Sequence, residues 1–153
     1  GVRGDAAGGR TVDVVGAFNF SFWVFKTRPL LRRYFRRVRE SLGRDGLFFL
    51  DAFGGYDASR VVRESTPLKG FTYVWDQAHY APVTGDLRCH IHFRFPDGSK
   101  LWEAFTYEWR LWTLPELREL LAEAGFRSSA VYWEGTGKDG RGNGEFEVVT
   151  EGD

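Results

Sequence analysis

The first part of the chain has the apolar pattern of a strand, a helix and a second strand. Residues 11 to 17 form a short apolar run, which predicts a buried strand. From Pro29 to Leu42 apolar residues recur at helical spacing and arginines occupy the other positions, which predicts an amphipathic helix. Residues 47 to 51 predict a second buried strand. Two strands joined by a helix of this length predict a parallel, right-handed βαβ unit.

The middle of the chain changes to a period of two. Between residues 71 and 110 apolar and polar residues alternate, and turn residues interrupt the alternation at 82 to 86 and at 96 to 99. This pattern predicts an inserted meander of three antiparallel strands. Its middle strand is expected to have a dry face and a polar face. The dry face holds Leu87, Cys89, Ile91, Phe93 and Phe95, and the polar face holds Arg88, His90, His92 and Arg94.

The last part of the chain predicts a helix followed by two strands. Thr113-Leu-Pro-Glu116 has the spacing of a capping box, in which the Thr and Glu side chains each accept a helix amide, and Gly125 ends the helix. Residues 130 to 133 and 146 to 150 predict strands, joined by a glycine-rich segment at 135 to 144. No repeat or internal boundary interrupts the sequence, so residues 1 to 153 are predicted to form one α/β domain.

Composition narrows the class of protein. The chain has 153 residues, of which 42% are hydrophobic and 17% aromatic, as expected for one domain with a substantial core. Basic and acidic residues number 21 each, so no overall charge attracts nucleic acid or membrane. The single cysteine, Cys89, excludes an internal disulfide and favours the cytoplasm. No apolar run approaches the roughly 20 residues of a membrane span. Because the chain has no Met and opens with Gly1, we expect it to be a piece of a longer protein.

The order of these motifs resembles the second half of a class I S-adenosylmethionine-dependent methyltransferase. The residues that carry the resemblance are Val12-Asp-Val-Val15, the turn at 43 to 46, the strand at 47 to 51 and the segment from Trp112 to Ala124-Gly-Phe126. The resemblance implies a Rossmann-like sheet, of which this chain supplies strands 4 to 7 with the meander inserted after strand 5. The family's glycine-rich cofactor loop has no counterpart here. We therefore expect the isolated chain to be an inactive fragment that binds S-adenosylmethionine weakly or not at all.

The same resemblance suggests where the cofactor S-adenosylmethionine would lie. Asp5 and Ala6 resemble the end of the third strand, where the family places an acidic side chain near the adenine. Phe18, Asn19 and Phe20 follow the fourth strand, at the edge where open α/β sheets bind ligands. Aromatic ring faces attract a positively charged sulfonium. An ordinary loop role for Asp5 and a packing role for each ring remain open.

The meander is expected to cover a small-molecule acceptor as a lid. It follows the carboxyl end of the fifth strand, where loops reach the ligand crevice. The candidate acceptor residues are Tyr73, Trp75, His90, His92, Tyr107, Trp109 and Arg110. The rings would bind apolar surface and the charged residues would supply charge or a base, although some rings must serve only for packing. Methyl transfer depends on aligning donor and acceptor, so the sequence identifies no catalytic residue, acceptor or acceptor atom.

Three other functions are considered. His90 and His92 share a strand face as metal ligands would, but no glutamate or second histidine motif follows, so no metal is predicted. An arginine-rich helix face without a reading motif does not predict nucleic-acid binding. The alternative that stays open is a non-enzymatic binding module, in which the aromatic meander holds a hydrophobic ligand or a partner. If the chain is an enzyme, its first partner is the missing N-terminal half of the same domain.

Overall fold

The computed structural model describes residues 11–138 and 142–149. Two helices and eight strands follow one another in the order β, α, β, then four strands, a helix and two strands. Their bounds are β1 Val12–Ala17, α1 Arg28–Ser41, β2 Leu42–Leu50, β3 Val62–Leu68, β4 Phe71–Tyr80, β5 Asp86–Arg94, β6 Lys100–Arg110, α2 Leu114–Glu123, β7 Val131–Thr136 and β8 Gly142–Val149. Short 3-10 turns lie at Ser21–Val24 and Tyr56–Ser59. Asp5 and Ala6 lie outside the described residues.

The predicted βαβ unit is confirmed. β1 and β2 pair in parallel, with Val14 opposite Leu47 and Ala17 opposite Leu50. Helix α1 covers one face of the pair, where Phe35 packs against Phe48 with ring centroids 5.8 Å apart. The helix ends earlier than predicted, because the backbone is already extended at Leu42 and the segment 43 to 46 forms an irregularity inside β2.

The opposite face of this strand pair is apolar and open. Val12, Val14, Leu47 and Phe49 are between 44% and 57% exposed. Among the described residues no element covers them, and the outer edge of β1 has no strand beside it. Exposed apolar surface of this kind marks an interaction surface more often than a solvated one.

The inserted sheet has four antiparallel strands, so the prediction of three strands beginning at residue 71 is wrong by one strand. The strand order is β3, β4, β5, β6. β3 was missed because its sequence is largely polar and contains Pro67, a residue that sheets tolerate only at edges. Six of its seven residues are exposed, as befits an edge strand that buries little.

One core joins the helices to the dry face of the inserted sheet. Its most deeply buried members are Phe22, Trp23, Leu31, Phe35, Leu87, Cys89, Leu117 and Leu120. Cys89 is fully buried, and burial raises the pKa of its thiol to about 12, so the predicted core role is confirmed. The capping box is also confirmed. The Thr113 hydroxyl accepts the Glu116 amide, and the Glu116 carboxylate accepts the Thr113 amide.

The last two strands form a sheet of their own. β7 and β8 pair antiparallel, and within the described residues neither pairs with β2. The numbering of β1, β2, β7 and β8 as strands 4 to 7 therefore stays a prediction. The sequence contains a Gly-x-Gly-x-Gly string at residues 140 to 144, and its last three residues belong to β8. No helix in the described part of the chain is long and apolar enough to cross a membrane.

Candidate functional site

An open cleft of about 360 Å³ lies where the inserted sheet meets the segments that follow β1 and β2. Its lining combines four aromatic rings with three polar side chains. The lining residues are Phe20, Phe53, Glu64, Thr66, Tyr73, Trp75 and Gln77. Phe20 follows β1 and Phe53 follows β2, so the cleft lies at the carboxyl edge of the parallel strands. That edge is where open α/β sheets place their ligands.

A carboxylate fixes the backbone that carries Phe20. Asn19 and Phe20 both have positive φ, at 56° and 55°, a conformation that non-glycine residues adopt at a cost. Asp51, directly after β2, accepts the amide of Asn19 at 2.9 Å and that of Phe20 at 3.0 Å. The loop after one strand is therefore tied to the end of the next. The position of Asp51 at a strand end was the one feature of the sequence that pointed to this role.

Phe18 directly follows β1, and the residue is 60% exposed. The ring covers Gly16, where an added Cβ would meet Phe18 Cε2 at 2.5 Å. A side chain at position 16 would thus displace the ring. Glycine at this position lets an aromatic face stand at the end of β1, and its exposure leaves that face available to a ligand.

The aromatic wall of the cleft continues across the inserted sheet. Phe53 meets Phe20 edge to face at 4.7 Å, and Trp75 at 6.4 Å. Tyr107 and Trp109 stack with centroids 4.4 Å apart on the same face of the sheet, and Trp75 lies 6.5 Å from Tyr107. The row of rings therefore runs from the parallel strands out along the sheet. Its inner end, at Trp109, is core, and its outer end lines the cleft.

Gln77 sets the orientation of Trp75. The Trp75 indole Nε1 donates to the Gln77 carbonyl at 3.3 Å. The Gln77 amide nitrogen donates to the backbone oxygens of Asp57 and Arg60, at 3.1 and 2.7 Å. The side chain is buried, so these bonds lack competition from water. Gln77 was not predicted as a site residue, although a lone amide on the apolar face of β4 was a usable signal.

Glu64 is the one lining residue that carries a charge at neutral pH. It lies on β3 opposite Trp75 and is exposed. Within residues 11–138 and 142–149 its carboxylate has neither a salt bridge nor a hydrogen bond. Burial raises the pKa of the Tyr73 phenol, which therefore stays neutral. The cleft is thus aromatic with a single free negative charge.

The predicted acceptor residues divide between the two faces of the sheet. Tyr73 and Trp75 line the cleft, as does Phe20 from the predicted cofactor group, and Tyr107 and Trp109 share their face. His90, His92 and Arg110 lie on the other face. The period of two explains the division, because Ile91 is paired with Trp75 and its neighbours on β5 point away from the cleft. The sequence predicted the alternation but not which face met the cleft.

His92 is buried, although it lies on the predicted polar face of β5. Its Nδ1 accepts the amide of Glu103 at 2.7 Å, which places the ring proton on Nε2, donating to Asp76 at 3.1 Å. Glu103 has φ 50° in a bulge of β6. Arg63 pairs with the same Asp76 carboxylate. Burial raises the pKa of Asp76, but the hydrogen bonds from Arg63 and His92 and the positive charge of Arg63 outweigh it and leave that pKa below its ordinary value.

Arg110 has a structural role. Its guanidinium lies over the Trp112 ring at 3.8 Å and donates to the backbone oxygen of Lys26 and to the Glu116 carboxylate. It therefore connects β6 to the capped start of α2. No group of three or more His, Cys, Asp or Glu residues in the described ranges has the arrangement of a metal site.

Solved structures share this fold, whereas no protein-family model and no curated protein matches the sequence. DesVI of Streptomyces venezuelae matches with a TM-score of 0.61 and 20% identity, over 88% of this chain and 57% of that one. The amino pentose methyltransferase CalS10 of Micromonospora echinaspora was solved with S-adenosylmethionine bound. It matches with a TM-score of 0.61 and 18% identity, over 88% of this chain and 57% of that one. The CcbJ methyltransferase of Streptomyces caelestis matches with a TM-score of 0.59 and 18% identity, over 82% of this chain and 49% of that one.

The chain has a methyltransferase fold. The α/β class expected from the sequence is thereby confirmed, with an inserted sheet that is antiparallel throughout. This methyltransferase fold is present in part, because the chain spans about half the length of the solved structures that it matches.

Proposed function

We propose that this chain forms the acceptor side of an S-adenosylmethionine-dependent methyltransferase and acts together with the N-terminal half of the same domain. The observation that carries the proposal is the aromatic cleft at the carboxyl edge of β1 and β2, within a methyltransferase fold. The half-length match to solved structures supports the need for the other half. Residues 62 to 110, the inserted sheet, serve as the lid over the acceptor.

The residues at the end of β1 fit a sulfonium cofactor. S-adenosylmethionine supplies a methyl group on a positively charged sulfur. The exposed ring of Phe18 and the half-buried ring of Phe20 present negative faces to a cation, and no lining residue of the cleft is positively charged. Asn19 lies between them with its backbone amide already bonded to Asp51, which leaves its side-chain amide for a ligand. Asp5 and Ala6 keep their predicted role at the adenine end.

The cleft suits a small-molecule acceptor. Its volume of about 360 Å³ falls at the lower end of the roughly 300 to 1,000 Å³ of ligand pockets. Tyr73 and Trp75 give flat faces for the acceptor's apolar surface, and Thr66 and Gln77 give polar contacts at its edge. CalS10, a protein with the same fold, acts on an amino pentose, and a sugar-sized acceptor fits this volume.

The residues of this chain contribute alignment. A displacement at a methyl carbon needs donor, carbon and acceptor in line, and holding them so lowers the barrier by several kcal/mol, about 7 to 11 in the best intramolecular cases. The tie from Asp51 to the loop of Phe20 fixes the donor side. The Gln77 bonds fix Trp75 on the acceptor side. No step in this proposal requires a nucleophile from the protein.

The test uses the longer protein that the proposal requires, in which the N-terminal half of the domain precedes Gly1. We expect that protein to bind S-adenosylmethionine with micromolar affinity by isothermal titration, and this chain alone to bind at least about a hundredfold more weakly. A Trp75→Ala variant of the longer protein should keep its cofactor affinity and lose acceptor affinity. Trp102→Ala, an exposed tryptophan on the other face of the sheet, is the matched control and should change neither.

Two results would contradict the proposal. Micromolar binding by this chain alone would mean that the cofactor site lies elsewhere in it. A longer protein that binds small aromatic or sugar ligands in the cleft, but never S-adenosylmethionine, would instead be the non-enzymatic binding module that the sequence left open.

A further inference from the structure

The cleft combines two features that together select for one kind of ligand. It has a row of aromatic faces, and it has one carboxylate without a partner among the described residues, that of Glu64. Three other carboxylates of the inserted sheet are paired, and Glu103, which has no partner among the described residues, is not part of the cleft lining. Asp76 bonds to Arg63 and His92, Asp86 to Lys26, and Glu108 to Arg88. Glu64 is therefore free to pair with a ligand.

The negative charge of Glu64 favours a cationic ligand over an anionic one. Glu64 gives the lining a net charge of minus one, since the other six lining residues are neutral. Aromatic ring faces attract a cation within about 6 Å of the ring centroid. An exposed ion pair adds a smaller attraction of the same sign. Both terms favour an ammonium group and both disfavour an anion.

Strand pairing brings the carboxylate and an aromatic ring together on one face of the sheet. Glu64 and Trp75 are directly opposite each other on β3 and β4, and their side chains share the face that lines the cleft. Thr66 and Tyr73, the next pair on that face, continue the lining. The Gln77 bond holds the Trp75 ring in place, so an ammonium beside Glu64 meets a ring that does not need to be reoriented.

We infer that Glu64 is the residue that recognises a positively charged amine on the acceptor. This inference rests on the proposed function and assigns a specificity role, in which Glu64 binds the amine and takes no part in the chemical step. β3, the strand that the sequence did not predict, thereby supplies the one charged contact of the cleft.

The experiment measures binding by this chain with a matched pair of probes. Cyclohexylamine is an ammonium at neutral pH, and cyclohexanol has the same ring without the charge. Their dissociation constants are determined by two-dimensional NMR from the Trp75 indole signal. In the unchanged chain we expect cyclohexylammonium to bind about fivefold more tightly than cyclohexanol. In Glu64→Gln the ratio should fall below about two, and Glu103→Gln, an exposed glutamate in the β6 bulge, should leave it at five.

The outcomes separate the alternatives. Equal binding of both probes in the unchanged chain, or a preference that persists in Glu64→Gln, would overturn the inference. A third comparison uses S-adenosylmethionine and its neutral product S-adenosylhomocysteine on the longer protein. If Glu64→Gln selectively weakens S-adenosylmethionine, the carboxylate serves the cofactor's sulfonium, and the inference about the acceptor is wrong. Because the probe titration needs no methyl transfer, its result stands apart from that of the proposed function.

Discussion

At the scale of single residues, the buried Asp76 carries the clearest electrostatic consequence. It is 5% exposed and accepts bonds from both Arg63 and His92. Its pKa is lower in the folded chain than in the unfolded chain, so its contribution to stability is complete above the ordinary pKa of about 3.9. That contribution is lost as the pH falls through the lowered, folded-state value.

We therefore expect Asp76→Asn to lower the free energy of unfolding by about 1.5 to 3 kcal/mol at pH 7, the range for a hydrogen bond to a charged group. Urea unfolding at pH 7, 5, 4 and 3 measures the difference between the variant and the unchanged chain. The difference should be constant from pH 7 to 5 and shrink below about pH 4. A difference that grows as the pH falls would show that the sign is wrong.

Gln77 gives a second prediction at this scale. Gln77→Ala leaves the backbone oxygen of Arg60 without its donor, removes one of two donors to that of Asp57, and frees the Trp75 indole. Leaving buried acceptors unsatisfied costs about 1 to 3 kcal/mol, so urea unfolding should show a loss of that size. The Trp75 indole NMR signal should broaden while the Trp102 signal stays unchanged. A sharp Trp75 signal would mean that ring packing alone holds the indole.

The sequence predicted the aromatic members of the cleft and missed its polar members for one reason. Rings such as Tyr73 and Trp75 follow the period of two, which the strand imposes and which is visible in one dimension. Glu64 and Gln77 matter because of what lies opposite or behind them. Glu64 lies opposite Trp75 because of strand pairing, and Gln77 reaches two backbone oxygens because of turn geometry. The sequence displays neither of these.

At the scale of elements, the start of α2 depends on its capping box. Thr113→Ala removes the hydroxyl that accepts the Glu116 amide, and such a loss costs about 1 kcal/mol. Urea unfolding followed by circular dichroism should show that decrease. Thr113→Ser keeps the hydroxyl and is expected to stay within about 0.5 kcal/mol of the unchanged chain. Equal losses in both variants would assign the effect to the threonine methyl group.

Elements with strong local patterns were predicted, and the one with a weak pattern was not. Helix α1 and strands β4 to β6 show helical or twofold periodicity, and their bounds came within a few residues of the observed ones. β3 exposes six of its seven residues, so burial imposes no alternation on it. Pairing with β4 makes it a strand, and pairing is a long-range property. For the same reason, whether β7 and β8 pair with β2 could not be decided from the sequence.

At the scale of the whole molecule, the open face of β1 and β2 should make the chain associate. Its residues Val12, Val14, Leu47 and Phe49 are apolar and exposed, and the edge of β1 is unpaired among the described residues. Sedimentation velocity should show concentration-dependent association of this chain. Leu47→Ser with Phe49→Ser should reduce it, whereas Leu68→Ser, on exposed β3, should not. If the chain were a monomer at all concentrations, its open face would no longer argue for an N-terminal half that covers it.

The bond from Asp51 to the loop after β1 also bears on when the loop becomes ordered. Two consecutive non-glycine residues in left-handed conformation would revert to other conformations in a free loop, and here the carboxylate holds them during folding itself. The entropy of ordering is lost then, so a ligand arriving at Phe20 meets a surface that is already set. In an Asp51→Asn chain the loop would become ordered only when the ligand binds. The entropy lost at that step would lower the affinity for the ligand, although no atom that touches the ligand had changed.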